Sequence, residues 1–201
     1  MTADTLDRPA ALPRSKRLKA ATGEIHEGLD RAINGHEPFA SRDRYGLFVK
    51  VQHAFHREID ALYEDPALDA LLPDLEGRRR FGQTGQDLAD LGIEVPAFAD
   101  APIFGRGARV DLPTALGWLY VAEGSNLGAA FLLKEAQKLG LSEACGARHL
   151  AGAPEGRGLH WRTFTAALDA VALSEEDEAR VVAGAQAAFG RVRGLVDRTF
   201  G

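Results

Sequence analysis

The stretch from residue 115 to residue 139 constrains the fold more than any other part of the chain. It contains no proline, and its large apolar side chains recur every three to four residues, which is typical of an α-helix. About 25 residues at roughly 1.5 Å per residue give a helix about 37 Å long. The apolar side chains that set this period are Leu116, Leu119, Tyr120, Leu127, Phe131 and Leu139.

Three glycines, Gly117, Gly124 and Gly128, interrupt this otherwise apolar helix. Each costs about 1 kcal/mol relative to alanine in a helix interior, so their presence needs a reason. At about 100° per residue they fall within about 20° of one line, bordered by Tyr120 and Phe131 on one side and by Ser125 on the other. Two interpretations compete: another helix packs closely there, because small residues let backbones approach, or a flat ligand lies against the bare backbone.

The Gly-Ser-Asn step at residues 124–126 favours the ligand interpretation. Serine and asparagine side chains compete with the backbone hydrogen bonds of a helix, so they favour a local distortion. We therefore expect a kink in the helix near Gly124 and Ser125.

Length and composition narrow the class of protein. At 201 residues, with 45% hydrophobic and 26% charged residues, the chain is typical of one globular domain. A net charge of −5 argues against general nucleic-acid binding. No apolar run reaches 18 uncharged residues and the N-terminus lacks a signal-peptide core, so we expect a cytoplasmic protein without a membrane span. With Cys145 alone, no intrachain disulfide can form.

No segment alternates with period two over the length of a strand, so the sequence predicts an all-α fold of about seven or eight helices. Residues 1–14 are expected to form a disordered leader and residues 15–201 a single domain, whose first helix is capped by Ser15. The three consecutive arginines at 78–80 are expected on a solvated face. Helices are expected at 15–33, 41–64, 67–72, 75–91, 115–139, 159–171 and from 174 onward.

His26 differs from the other histidines in its placement. It adjoins the apolar stripe of the first helix, where Thr22 and Leu29 are its neighbours. An imidazole on such a face is more often a core or boundary residue, but beside a glycine-lined helix it is a natural axial ligand for heme iron. Lys19 lies on the same side, about 10 Å along the helix, within reach of a heme propionate. Asp30, four residues on, could accept the other ring N–H.

Other motifs carry less information. His53 and His56 are three residues apart on the second helix, a spacing that permits metal chelation, but no acidic pair accompanies them. The chain has no glycine-rich phosphate loop, nucleophile elbow or zinc-protease signature.

Two elements resemble the heme oxygenase family, in particular the bacterial members that serve heme-iron acquisition or accompany bacteriophytochromes. They are Thr22-x-x-x-His26 and Tyr120-Val-Ala-Glu-Gly-Ser-Asn-Leu-Gly-Ala-Ala-Phe131. The Glu-Gly-Ser-x-Leu-Gly part is fairly specific, and its pairing with a histidine about 98 positions earlier is more so. With weaker matches at 87–92, 161–164 and 187–189, the resemblance spans residues 15–200.

The resemblance implies a helical domain that holds heme between a proximal helix and a kinked distal helix. His26 matches the axial iron ligand, and Gly124, Ser125 and Gly128 match the distal kink, whose backbone crowds the iron. Animal members have aspartate where Ser125 stands, so water ordering is expected to fall to Ser125, Asn126 or backbone carbonyls. The remaining residues expected at the heme are Lys19, Thr22, Tyr120, Phe131 and Arg162.

The activity that the resemblance implies is oxidative cleavage of heme b, which is both substrate and cofactor. The expected products are biliverdin, as its alpha isomer, CO and ferrous iron. The reaction needs O2 and an electron donor, either a reductase or a ferredoxin, and a bacteriophytochrome is a candidate acceptor of the biliverdin. Two alternatives stay open: a heme carrier or sensor without turnover, and a related helical protein that binds no heme and uses the glycines for packing.

Overall fold

The computed structural model of the protein describes residues 12–201, and most of the predicted leader, residues 1–11, lies outside them. The predicted all-α class is confirmed, and the described residues contain no strand, only isolated bridges from Ser142 to Cys145 and Gly146. Short 3-10 helices lie at Asp60–Glu64, Glu76–Arg78 and Arg148–Leu150. The α-helices are α1 (Arg14–Gly35), α2 (Arg42–Ile59), α3 (Pro66–Asp69), α4 (Phe81–Asp90), α5 (Leu112–Lys138), α6 (Arg157–Ala170) and α7 (Glu175–Phe200).

Side chains cap α5 and α7, the two longest helices. The Asp111 side chain accepts a hydrogen bond from the Thr114 N–H at the start of α5 (3.2 Å). Ser174 and Asp177 form a reciprocal capping box at the start of α7. The predicted Ser15 cap is wrong: Ser15 lies inside α1, and its hydroxyl donates to the Asp169 carboxylate on α6 (2.8 Å). Ser15 therefore links α1 to α6 and does not cap α1.

Helix α7 is the support on which both α1 and α5 pack. It runs alongside α1 in the same direction, as three contacts spaced along both helices show. Helix α5 packs against α7 more extensively than any other pair of helices in the described chain. The three α1–α7 contacts are Arg14 with Glu178, His26 with Phe189 and His36 with Phe200.

Helix α5 passes through two separate apolar clusters. Its residues 115–122 belong to a first cluster, which also includes Phe164 and Phe189. Further along, Ala129 and Ala136 belong to a second cluster around Tyr45 and Phe48. Residues 123–128, which include two of the three glycines, belong to neither cluster. Burying a large apolar side chain contributes about 1.5–3 kcal/mol, so apolar packing holds the two ends of α5 more strongly than the middle.

Gly117 lies where α5 and α7 cross. A Cβ added to Gly117 would lie 2.6 Å from the backbone nitrogen of Ala185, and one added to Gly184 would lie 3.0 Å from the Cα of Thr114. Both distances are shorter than any normal packing distance, so the two backbones meet directly. The packing interpretation of the glycines is therefore correct for Gly117.

A group of buried histidines lies between α2, α4 and the 148–150 turn. His53 and His56 on α2 and His149 are each about 3% exposed. Burial lowers the pKa of His56 to about 3, with smaller contributions from nearby Arg80, His149 and His53. Burial also lowers the pKa of His149, although the Asp87 carboxylate, 2.7 Å from its Nδ1, opposes this. These histidines are accordingly neutral near pH 7.

Within residues 12–201, no helix is both long enough and apolar enough to cross a membrane. The same residues contain no cluster of three or more His, Cys, Asp or Glu side chains arranged to hold a metal ion. His53 hydrogen bonds through Nδ1 with the Thr84 hydroxyl (3.0 Å).

Replacing Gly117 by alanine should destabilise the protein, because the added methyl group would push α5 away from α7. Overpacking of this kind typically costs about 1–3 kcal/mol. Gly128→Ala is the matched control, since a Cβ there meets nothing within 4 Å. That variant should be stabilised by up to about 1 kcal/mol from helix propensity alone. Urea unfolding of both variants checks this, and equal effects of the two substitutions would contradict it.

The buried histidines should make stability depend on pH. Folded His56 stays neutral down to about pH 3, whereas the unfolded chain takes up a proton below about pH 6.5. The free energy of unfolding should therefore fall as the pH drops through this window, by up to about 1.4 kcal/mol per pH unit for His56. Urea unfolding across the window should give a shallower slope for His56→Leu. A slope unchanged by that substitution would exclude His56 as the source.

Candidate active site

The helices that carry the predicted proximal and distal residues do not pack extensively against each other. Helix α1 packs on α6 and α7, and α5 packs on the same two helices. The two candidate helices therefore share a support, and each keeps an exposed face.

His26 projects from the exposed face of α1, with 58% of its side chain accessible. Its ring centroid is 5.6 Å from that of Phe189, which is buried in α7. Its Nε2 lies 3.6 Å from the Asp30 carboxylate, which is too far for a hydrogen bond. No other described residue hydrogen bonds to the ring, so His26 has a defined position and a nitrogen available for a ligand.

The remaining glycines of α5 are open. A Cβ on Gly124 would lie 3.5 Å from the Trp161 ring, which is an ordinary contact distance, and one on Gly128 would meet nothing within 4 Å. The three glycines therefore do not share one role. Gly117 serves helix packing, while Gly124 and Gly128 leave the backbone accessible to a ligand.

Helix α5 is α-helical from Leu112 to Lys138 without interruption. The hydroxyl of Ser125 donates to the Ala122 carbonyl (2.7 Å), the kind of local hydrogen bond that bends helices. A kink of a continuous helix at this point stays a prediction.

Large apolar side chains are exposed beside these two elements. Phe131 is 65% exposed and Leu127 is 45% exposed, and they flank Gly128 on α5. Ile25, next to His26, is 39% exposed. Phe131 and Leu127 therefore give the bare backbone at Gly128 an apolar border that a flat ligand could cover.

The residues predicted to meet the propionates differ in environment. Lys19 on α1 and Arg162 on α6 are both exposed, so their charges are available to an anionic ligand. Tyr120 is 9% exposed, and its ring centroid is 5.5 Å from that of Trp161. Burial raises the pKa of Tyr120, so it carries a neutral hydroxyl.

Thr22 is buried, and its hydroxyl donates to the Leu18 carbonyl of its own helix (2.8 Å). This bond uses the only hydroxyl proton of Thr22, so the side chain can offer a ligand only its methyl group or a lone pair. A direct contact of Thr22 with heme stays a prediction.

A buried charged group behind α5 was not predicted. Glu123, next to Gly124, is 2% exposed and forms an ion pair with Arg78 (3.0 Å). Arg80 is also buried and donates to the His149 carbonyl (2.8 Å). The expectation that the arginines at 78–80 form a solvated face is wrong for these two. The signal in the sequence was Glu123 itself, because a single glutamate in an apolar helix needs a cation as its partner when it is buried.

Comparisons with known proteins agree with the resemblance. The family model described as Heme oxygenase matches residues 12–198. Heme oxygenase PigA of Pseudomonas aeruginosa is 46% identical over 187 residues, which is 93% of each chain.

Solved structures also match this chain. The structure of NO- and CO-bound heme oxygenase from Neisseria meningitidis is similar with a TM-score of 0.88 and 44% identity, covering 95% of this chain and 94% of that one. Heme oxygenase 2 from Chlamydomonas reinhardtii, without heme, has a TM-score of 0.68 at 18% identity and supports the fold alone; it covers 92% of this chain and 96% of that one. With the family model spanning nearly the whole chain, this protein belongs to the heme oxygenase family, the oxygen-dependent enzymes that degrade heme.

Proposed function

We propose that this chain binds heme b between α1 and α5 and cleaves it to the alpha isomer of biliverdin, CO and ferrous iron. The observation that carries the proposal is the exposed His26 imidazole, held against Phe189, on a helix that shares its support with the bare glycine backbone of α5. The side chains present suit heme, since an imidazole, exposed apolar residues and exposed cations match its iron, ring and propionates.

His26 is proposed to bind the iron, and the buried Phe189 ring limits rotation of the imidazole. Heme itself supplies the iron centre that binds O2 and the ring that is oxidised. Gly124 and Gly128 allow the backbone of α5 to approach the opposite face, because neither carries a side chain there. Phe131 extends the apolar surface beside the ring.

Three polar side chains are proposed to orient the ring. Lys19 and Arg162 carry exposed charges that can bind propionates, and Tyr120 offers a neutral hydroxyl from a fixed position beside Trp161. Because propionate contacts set the rotation of heme in the pocket, they decide which meso carbon faces the distal backbone. We expect this arrangement to favour the alpha carbon.

Ser125 is proposed to order water on the distal side. Its hydroxyl proton is directed to the Ala122 carbonyl, which leaves the oxygen as an acceptor for a water molecule. Asn126 is 9% exposed, so its side chain is a weaker candidate for contact with a distal ligand.

The electrons are proposed to come from a separate reductase or ferredoxin. The chain has a single cysteine, Cys145, so it has no dithiol that could store an electron pair. We propose a cytoplasmic site of action, with a bacteriophytochrome as a candidate acceptor of biliverdin. A heme carrier or sensor without turnover is the alternative function.

Aerobic reduction of the hemin complex distinguishes an enzyme that cleaves heme from a carrier or sensor that only binds it. With ascorbate or a ferredoxin system as donor, the heme absorption band should disappear and biliverdin should accumulate. Chromatography should identify the alpha isomer, and Lys19→Ala should release a mixture of isomers. A heme spectrum that persists under reductant and O2 would favour the carrier or sensor, and an unmixed product from Lys19→Ala would exclude its proposed role.

Replacing His26 by alanine should remove the axial ligand. We expect a shifted Soret band and weaker hemin binding, on the order of tenfold or more, which corresponds to about 1.4 kcal/mol. Added imidazole should restore the wild-type spectrum. His36→Ala is the matched control, because His36 directly follows the same helix and stacks on Phe200 (4.7 Å). Identical spectra for wild type and His26→Ala would disprove the assignment.

A further inference from the structure

We propose that the buried ion pair of Glu123 and Arg78 is a positioning site, which sets how closely the backbone at residues 124–128 approaches a ligand bound on the distal face of heme. This inference rests on the proposed function, since it assumes that heme lies against α5. Glu123 and Arg78 act through the backbone of α5 and are not expected to touch the heme.

The glycine segment, residues 123–128, lies between two regions of α5 that are held by apolar packing. Residues 115–122 and residues 129 onward are each fixed by an apolar cluster, and residues 123–128 belong to neither. Gly124 and Gly128 have no side chain with which to anchor themselves, and Ser125 bonds only within its own helix. The position of this segment must therefore depend on its polar contacts.

Glu123 provides the strongest of these contacts. One carboxylate oxygen accepts a hydrogen bond from the Tyr63 hydroxyl (3.1 Å), and the other pairs with the Arg78 guanidinium (3.0 Å). Arg78 also donates to the backbone carbonyls of Pro73 (3.1 Å) and His160 (3.3 Å). The residue next to Gly124 is thus tied to two segments between residues 60 and 80 and to α6.

The charges of this group are almost fully removed from water. The side chains of Arg78 and Glu123 are 2% and 1% exposed. Burial raises the pKa of Glu123, and Arg78, together with the Tyr63 hydrogen bond, opposes this change. His160 also faces the carboxylate, with its Nε2 3.7 Å away. Charge-assisted bonds in such a dry environment restrict geometry more strongly than exposed pairs do.

A second tie acts on the same segment from the same side. Arg157, at the start of α6, donates to the backbone carbonyl of Asn126 (3.0 Å). A cavity of about 10 Å³ adjoins Glu123, Asn126 and Arg157, enough for about one water molecule. Side chains do not fill this space completely, so directed hydrogen bonds, more than close packing, define where α5 lies here.

The test removes the ion pair while keeping the protein folded. Glu123→Leu combined with Arg78→Met replaces both charges, because such double replacement of a buried pair is often tolerated whereas removal of one partner is not. Tyr63→Phe removes one hydrogen bond to Glu123 and serves as a milder variant. Asp60→Asn is the matched control: it removes the charge that pairs with Arg79 (2.6 Å) and Arg106 (3.2 Å), and neither ion pair includes a residue of α5.

Each protein is first titrated with hemin, and distal ligands are then added as probes of the backbone. We expect the double variant to change the dissociation constant of azide from the ferric complex on the order of tenfold. The C–O stretching band of its ferrous CO complex should shift and broaden. Tyr63→Phe should change both readouts less and in the same direction, and Asp60→Asn should leave both at their wild-type values.

Hemin binding by the wild type tests the proposed function, and the azide and CO readouts of the variants test the positioning role. If wild type binds no hemin, the proposed function fails, and this inference fails with it. If the double variant or Tyr63→Phe binds hemin but keeps the wild-type azide affinity and CO band, the positioning role is overturned while the proposed function stands. If Asp60→Asn shifts the bands as much as the double variant, the effect follows from general loosening and the positioning role is again overturned.

Discussion

The backbones of α5 and α7 meet directly at Gly117 and Gly184, and this contact sets the position of α5 over α7. Because neither residue has a Cβ, the two longest helices approach more closely than side chains would allow. This crossing fixes where α5 leaves the first apolar cluster and therefore where Gly124 and Gly128 stand. The same helix α7 holds His26 through Phe189, so one element positions both sides of the candidate heme site.

Much of the fold follows from local sequence rules. The 3.6-residue period and the proline-free stretch in α5 predicted most helices to within a few residues of their observed bounds, whereas the helix expected at 75–91 begins only at Phe81. The rules failed where tertiary contacts compete with local ones. Ser15 has the right residue type for a cap, but Asp169 of α6 takes its hydroxyl, and no local pattern contains that information.

The candidate site was accessible to sequence reasoning only in part. His26 and the glycines could be singled out, because an imidazole beside an apolar stripe and glycines inside a helix both violate ordinary patterning. The different roles of Gly117 and Gly128 could not be foreseen. The two residues are equivalent by helical angle and differ only in whether α7 covers them. The burial of Arg78 was missed because three adjacent arginines suggest a surface, whereas its carboxylate partner is 45 positions away.

The parallel alignment of α1 with α7 has a consequence for how the site opens. Contacts near the start, the middle and the end of α1 join it to α7, so we expect these two helices to move as one rigid unit. The middle of α5, residues 123–128, lies outside both apolar clusters and is held mainly by the polar contacts of Glu123 and Asn126. Widening of the site to admit a bulky planar molecule and release its cleaved product is therefore expected in this part of α5, while His26 stays fixed with α1 on α7.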